Sequence, residues 1–180
     1  QLTDNAGTAN ESPFVTADGR HIYFESTRDG TRNIWRMDID GQQPVQITFS
    51  KKENNYFPAV SPDGAWLFYL QKNQNANVIW RRSLADGKEE MLTEPGRYSP
   101  DSFISISLDG KFLAFNNLLK KVADGAAKSE QIGVIPTDGS APAQFYDLPA
   151  NAKSVIWATD GHALTYAENL REESLIWRMD

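Results

Sequence analysis

Cysteine is absent from the chain, and histidine occurs only twice. The lack of cysteine excludes disulfide bonds, thiolate catalysis and cysteine-based zinc sites. It is compatible with the cytoplasm and with a bacterial periplasm alike. His21 and His162 follow shortly after Asp-Gly pairs, and we expect both to be side chains at the edges of turns. Because a metal site needs several converging ligands, the sequence predicts neither a metal nor another cofactor.

Long apolar runs and blocks of charge are also absent. The longest uninterrupted apolar stretch covers residues 65–70, which is too short to cross a bilayer, so we expect no membrane insertion by this segment. The opening QLTDNAGTANES is polar and shows no signal-peptide pattern. The net charge is −6, and acidic and basic residues are interspersed. Without a basic stripe to contact phosphates, we expect no nucleic-acid partner.

Sequence motifs of common catalytic sites are missing as well. The chain contains no Gly-x-Ser-x-Gly elbow, no Gly-x-Gly-x-x-Gly and no phosphate-binding loop. The sequence therefore predicts a protein that is not an enzyme.

What the chain does contain is one hairpin written four times. The copies read VTADGRHIYFE (15–25), VSPDGAWLFYL (60–70), ISLDGKFLAFN (106–116) and WATDGHALTYA (157–167). Their Asp-Gly pairs begin at Asp18, Asp63, Asp109 and Asp160, which are 45, 46 and 51 residues apart. A fixed period of this length is typical of repeat architectures.

Residues at several other positions recur at the same distance from each Asp-Gly pair, which is called the anchor of its repeat below; each set of equivalent positions is called a column. Aliphatic and aromatic residues stand four and six positions after each anchor, and the alternation predicts one packed face of a strand. These are Ile22, Phe24, Leu67, Tyr69, Leu113, Phe115, Leu164 and Tyr166. Sixteen positions after the anchor an Ile-Trp pair recurs, except in the third repeat, which has Ile132-Gly133 after an insertion at 117–130. We expect a short helix in that insertion.

The Asp-Gly pairs predict tight turns, because glycine adopts the required positive φ at little cost. A second pair closes the first three units at Asp40, Asp86 and Asp138. Turn formation explains these aspartates, and calcium binding is the alternative. Each unit then holds four candidate antiparallel strands, the pattern of a β-propeller blade.

The sequence thus predicts an all-β propeller of about four blades, or part of a larger propeller. We place the blades at about 11–48, 54–93, 98–149 and 152–180, with residues 1–3 completing the last one. In that arrangement Leu2 and Thr3 pair with the strand around Ile176.

The repeat resembles the TolB-type propeller, a relative of the WD repeat. The resemblance rests on the columns around SPDG, Ile-Trp and QIT, and TADGRHIYFESTRDGTRNIWRMDIDGQQPVQIT (16–48) is close to a full copy. It implies a non-catalytic module of the bacterial envelope, in the periplasm, that binds a protein or a small-molecule ligand. The same family includes propellers that gate prolyl-oligopeptidase-like peptidases, which is the alternative function; the catalytic domain would then lie outside this sequence. TolB-type rings usually have six or more blades, so we expect a piece of a longer protein, with possible self-association through the terminal blades.

Candidate binding residues stand seven positions before each anchor, where the innermost strand of a blade begins. They are Glu11, Tyr56, Ser102 and Lys153. Their chemistry differs although their neighbours repeat, and loops on a rigid scaffold commonly carry function. We expect them at the mouth of the propeller channel, and ordinary loop drift is the alternative explanation.

Overall fold

The computed structural model describes residues 1–4, 8–72, 76–118, 130–149, 152–161, 163–169 and 174–179. Throughout these ranges the regular secondary structure is β-strand, without a helix. Accordingly, the described residues offer no helix with the length and apolarity that a membrane span requires. The chain divides into two compact units, Gln1–Arg97 and Tyr98–Asp180.

The first unit contains two four-stranded antiparallel sheets. The first sheet has the strand order β1-β2-β3-β4, with β1 (Asn10–Val15), β2 (His21–Ser26), β3 (Asn33–Asp38) and β4 (Val45–Gln46). The second has the order β5-β6-β7-β8, with β5 (Asn54–Val60), β6 (Trp66–Lys72), β7 (Asn77–Ser83) and β8 (Glu89–Met91).

The second unit contains one sheet of four strands and one of three. The four-stranded sheet comprises β9 (Pro100–Ile106), β10 (Phe112–Leu118), β11 (Glu130–Pro136) and β12 (Gln144–Asp147). The three-stranded sheet comprises β13 (Ala152–Trp157), β14 (Leu164–Asn169) and β15 (Ser174–Met179). The predicted all-β fold of repeated antiparallel blades is thereby confirmed.

The sequence predicts a strand from residues 1–3 and a helix within the insertion at 117–130. Residues 1–4 form no strand, and the backbone of Leu2 lies against Gly41. Completion of the last blade by residues 1–3 stays a prediction. Of the insertion at 117–130, the two ends belong to β10 and β11, and the expected helix at 119–129 lies outside the described residues.

Three of the four inner hairpins turn on a hydrogen-bonded Ser/Thr-x-Asp-Gly unit, and the fourth has Ala158 in place of the hydroxyl residue. Ser61 Oγ donates to Asp63 Oδ1 over 2.5 Å, and the Ala65 backbone N–H donates to the same oxygen over 3.0 Å. The hydroxyl of Ser61 and the Ala65 amide hold the pKa of Asp63 below its ordinary value of 3.8. Gly64 follows with φ 73°. The same hydroxyl-to-carboxylate bond occurs in the turns of Asp18 and Asp109, at 2.6 and 2.7 Å. Turn formation thus accounts for these three aspartates.

The core follows the predicted alternation. Of the eight residues four and six positions after the anchors, seven are buried, and the eighth, Tyr166, is partly buried. In the first unit Leu67 and Tyr69 of β6 pack against Tyr23 of β2. In the second unit Leu164 of β14 packs against Ala114 of β10. In each unit the repeating residues of the second sheet therefore pack toward the first sheet, whereas Ile22 and Phe24 pack with Met37 and Trp35 of their own sheet.

The threonine that ends QIT (46–48) recurs in MLT (91–93), and it has a specific bonding role. Thr48 Oγ1 accepts the backbone N–H of Ile34 over 2.9 Å, and Thr93 Oγ1 accepts that of Ile79 over the same distance. Both hydroxyls are buried. The threonine thus satisfies a backbone donor at the end of a short outer strand, where an unpaired amide would be costly.

Glycine replaces tryptophan in the third blade because an aromatic ring takes the space. Gly133 pairs with Phe115, and a Cβ built on Gly133 would come within 2.3 Å of Phe115 Cζ. The ring of Phe115 also contacts Tyr98 and Phe145, with centroid separations of 6.2 and 6.3 Å. The departure from the Ile-Trp column is therefore a repacking of the blade around Phe115.

Candidate binding site

The innermost strand of every blade contains a β-bulge at the same place. Between Glu11 and Phe14, β1 uses three residue steps where β2 uses two, and β5 does the same between Tyr56 and Ala59. In the second unit the bulge lies before Ile104 in β9 and after Lys153 in β13. Bulges re-aim side chains near functional sites in many sheets. The predicted site residues therefore stand at or beside these bulges.

In the first unit the bulges hold unusual backbone conformations. Ser12 has φ 49° and Phe57 has φ 52°, and a bulky residue in this left-handed region is strained. Glu25 Oε1 accepts the backbone N–H of Phe57 over 2.8 Å. The carboxylate of Glu25 on β2 thus fixes the bulge of the neighbouring sheet.

Arg32 joins the two predicted site residues of the first unit. Its Nη1 lies 2.8 Å from Glu11 Oε2, and its guanidinium carbon lies 5.2 Å from the centre of the Tyr56 ring. The ammonium of Lys72 lies 5.4 Å from the same ring and 5.9 Å from the ring of Phe57. Tyr56 therefore lies near two cations, an arrangement stabilised by the ring quadrupole.

Glu25 provides the buried counter-charge of this cluster. The side chain of Glu25 is 1% exposed and lies 2.8 Å from Arg32 Nη1. Burial of Arg32 disfavours its charged form, but its hydrogen bonds to Glu25 and Glu11 outweigh burial and raise the pKa of Arg32 above its ordinary value. Arg32 consequently remains a cation held between a buried and an exposed carboxylate.

A buried hydrogen-bond network centred on the side-chain amides of Asn33 and Asn55 lies next to this cluster. Asn33 Oδ1 accepts from Thr48 Oγ1 over 3.0 Å and from Asn55 Nδ2 over 3.1 Å. Asn33 Nδ2 donates to the Ser50 carbonyl over 3.0 Å, and Gln71 Nε2 donates to Asn55 Oδ1 over 3.2 Å. Because buried polar groups must be paired, this network specifies one arrangement of β3 and β5.

The other predicted residues belong to the second unit. Ser102 Oγ accepts from Asn116 Nδ2 over 3.1 Å. Lys153 pairs with Ala167 in the β13–β14 ladder, and its side chain lies outside the described residues. The structure therefore joins Glu11 and Tyr56 through Arg32, and the convergence of all four candidates stays a prediction.

The sequence predicts that His21 and His162 lie at the edges of turns and that the chain holds no metal. His21 is the first residue of β2, and its Nε2 lies 3.7 Å from Asp38 Oδ1. His162 lies outside the described residues. Within the described part of the chain, no group of three or more His, Cys, Asp or Glu residues is arranged to hold a metal ion.

Sequence reasoning missed the two residues that organise the site. Glu25 stands in a column whose other members are Leu70, Asn116 and Ala167, and a charge at this packed position was the available signal. Arg32 gave no such signal, because its role depends on Glu11 and Glu25, which only folding brings to its side.

Comparison with known proteins establishes the family. The family model described as the TolB beta propeller domain matches residues 1–159. The chain therefore belongs to the TolB beta propeller domain family, as the sequence resemblance predicted.

The curated relatives are matched over short segments. The chain is 30% identical to a TolB homolog of Chlorobaculum tepidum over 78 residues, which are 43% of this chain and 18% of that protein. It is 42% identical to an uncharacterized protein of Agrobacterium fabrum over 64 residues, which are 36% of this chain and 21% of that protein. The matches thus span about a fifth of these relatives.

Solved structures show the same fold at low identity. TolB from Acinetobacter baumannii superposes with a TM-score of 0.74 at 19% identity, covering 99% of this chain and 42% of that one. An oligogalacturonate lyase from Vibrio parahaemolyticus gives 0.70 at 16% identity, covering 93% and 49%. The acylaminoacyl peptidase of Pyrococcus horikoshii gives 0.70 at 13% identity, covering 94% and 31%. At these identities the likeness concerns the fold alone.

Proposed function

We propose that the chain is a non-catalytic binding module of the bacterial envelope, located in the periplasm. It binds a protein or a small-molecule ligand at the bulged ends of its inner strands. Family membership supports the scaffold, and the names of several relatives as TolB proteins support the envelope location. The main supporting observation is that Arg32 contacts both Glu11 on β1 and Tyr56 on β5, next to a bulge that buried Glu25 holds by a hydrogen bond to Phe57.

The composition of this cluster suits recognition. Glu11 is 58% exposed and offers a carboxylate, while Tyr56 offers an aromatic surface between Arg32 and Lys72. Tyrosine and arginine are enriched among the residues that dominate binding energy at interfaces. The buried hydrogen bonds behind them reduce the ordering cost on binding, because Glu25 already fixes the bulge at Phe57.

Site-specific crosslinking tests the location of the site. A photoreactive amino acid replaces Tyr56 in the protein expressed from its whole gene, and the control position is Met91 on the outermost strand, which is 55% exposed. We expect a discrete crosslinked product from position 56, weakened by Glu11→Lys, and none from position 91. Equal products from both positions, or a product unaffected by Glu11→Lys, would contradict the proposed site.

Cell fractionation tests the location of the protein. The product of the whole gene should be released with the periplasmic contents. Recovery with the cytosol would contradict the envelope assignment and leave the crosslinking result to decide the site.

The alternative function is the gating propeller of a prolyl-oligopeptidase-like serine peptidase. It is supported by the fold likeness to the acylaminoacyl peptidase. The gene sequence on either side of these residues distinguishes the two, because the peptidase requires an adjoining hydrolase domain. Hydrolysis of acyl-peptides by the whole gene product would overturn the non-catalytic proposal.

A further inference from the structure

A concave site lies in the first unit, at the opposite end of β1 and β5 from Glu11 and Tyr56. It is a cleft of about 350 Å³ between the β1–β2 turn and the β5–β6 turn. Its lining includes Asp18, His21, Arg36 and Asp63. The volume is in the range of small-molecule sites, which begin at about 300 Å³.

The corresponding place in the second unit is filled by apolar side chains. Val60, which lines the cleft, stands three positions before its anchor, where the second unit has Trp157. The Trp157 ring lies 6.4 Å from that of Phe112, and its Nε1 donates to the Ser105 carbonyl over 3.0 Å. Phe112 in turn occupies the column of His21. The cleft therefore depends on small and polar residues where the other blade pair has large rings.

Arg36 is the distinctive cation of this cleft. Arg81 and Arg178 share its column, and they pair with Glu90 and Asp160 at 2.6 Å each. On the outer strand of the second blade, Glu90 stands opposite Arg81. In the first blade, Val45 stands opposite Arg36 and offers no charge. Among the described residues Arg36 has no ion-pair partner, and its buried Nε has no hydrogen-bond partner. Leaving such a group unpaired is unfavourable, so a complementary anion is expected to bind it.

The remaining charges of the cleft complete the ligand description. Asp18 and Asp63 stand on the two turns, each with Oδ1 engaged by a hydroxyl and a backbone amide. Their pKa values are lowered by these bonds, so both are anionic at neutral pH. His21 contacts Asp38 at 3.7 Å, and the Tyr23 hydroxyl hydrogen-bonds with Arg36. One wall of the cleft is thus cationic, and the turns carry negative charge.

We propose that this cleft binds a small zwitterion of the amino-acid or dipeptide class. The ligand carboxylate pairs with Arg36, and the ligand ammonium lies toward Asp18 and Asp63. Bidentate pairing of a guanidinium with a carboxylate gives the orientation. This site is separate from the one proposed above, and either can fail without the other.

Calorimetric titration of the chain with L-alanyl-L-alanine tests the proposal. The dipeptide should bind, while N-acetyl-alanyl-alanine, which lacks the ammonium, and alanyl-alanine amide, which lacks the carboxylate, should each bind at least about tenfold more weakly. Equal binding of the capped peptides, or the absence of binding by the free dipeptide, would overturn the assignment.

Variants in one column supply matched controls. Arg36→Gln should weaken dipeptide binding by at least about tenfold, and Arg81→Gln, which alters the ion-paired counterpart, should leave it unchanged. Val60→Trp reproduces Trp157 and should abolish binding by filling the cleft. Circular dichroism verifies that each variant is folded. If Val60→Trp does not fold, Arg36→Gln alone decides: binding unaffected by this change would refute the site.

Discussion

The two units share one repeat, yet the contact between the two sheets of each unit, here called its junction, is polar in the first unit and apolar in the second. In the first unit the residues of β2 and β3 that face the next sheet include Glu25 and Arg36, and a polar network and a cleft lie along the junction. In the second unit the corresponding columns hold Asn116 and Val134, and Trp157 fills the space. The repeat thus fixes turns and one face of each strand, while the opposite face determines what each junction can do.

The largest effect should follow from removal of the aromatic centre of the second unit. Phe115 is fully buried beneath Tyr98 and Phe145 and covers Gly133. Phe115→Ala should lower the free energy of unfolding by about 3–5 kcal/mol, because it removes buried surface and leaves a cavity. Urea denaturation measures the change. A loss below about 1 kcal/mol would show that the third blade does not pack around this ring.

A somewhat smaller effect distinguishes the two junctions directly. Glu25→Ala removes the buried partner of Arg32, leaving only the exposed Glu11, and leaves the Phe57 amide without its acceptor, so we expect a loss of about 3 kcal/mol. Asn116→Ala, at the equivalent position of the second unit, breaks its bond to Ser102 and should cost about 1 kcal/mol. Both are measured by urea denaturation. Equal losses would remove the proposed difference between the junctions.

Within the first unit, exposure should separate the two carboxylates that bind Arg32. Glu11 is 58% exposed, so Glu11→Ala should cost less than about 1 kcal/mol. The same denaturation experiment checks this value. A loss as large as that of Glu25→Ala would mean that the exposed pair is also structural.

The smallest effect concerns the turns that both units share. The folded pKa of Asp63 is lowered, so the carboxylate stabilises the protein above its ordinary pKa of 3.8, and this contribution is lost as pH falls through the folded pKa. Asp63→Asn should therefore lower Tm slightly near neutral pH, and the difference from the parent chain should shrink below that value. Thermal melts across the acid range measure it. A difference that grows on acidification would contradict this assignment.

Much of the fold could be predicted because its causes are local. Asp-Gly pairs fix turns, and alternating residues such as Leu67 and Tyr69 fix a buried face, so period and strand content followed from the sequence. The packing of Phe115 over Gly133, and the lack of an ion-pair partner for Arg36 among the described residues, depend on residues that meet only across paired strands. Of the candidate site, the inner-strand positions were predictable, and the Arg32 bridge between Glu11 and Tyr56 was not.

The bulges of the inner strands have a consequence for how such repeats diversify. Between Glu11 and Phe14, and between Tyr56 and Ala59, the inner strand gains one residue over its partner and so restarts the alternation of faces. Residues before the bulge therefore do not follow the inward–outward alternation that places the core residues after it. A substitution at these positions can alter what the strand end recognises while every residue after the bulge keeps its face. The repeat can therefore acquire a new binding specificity at one end of the strand while the packing at the other end is unchanged.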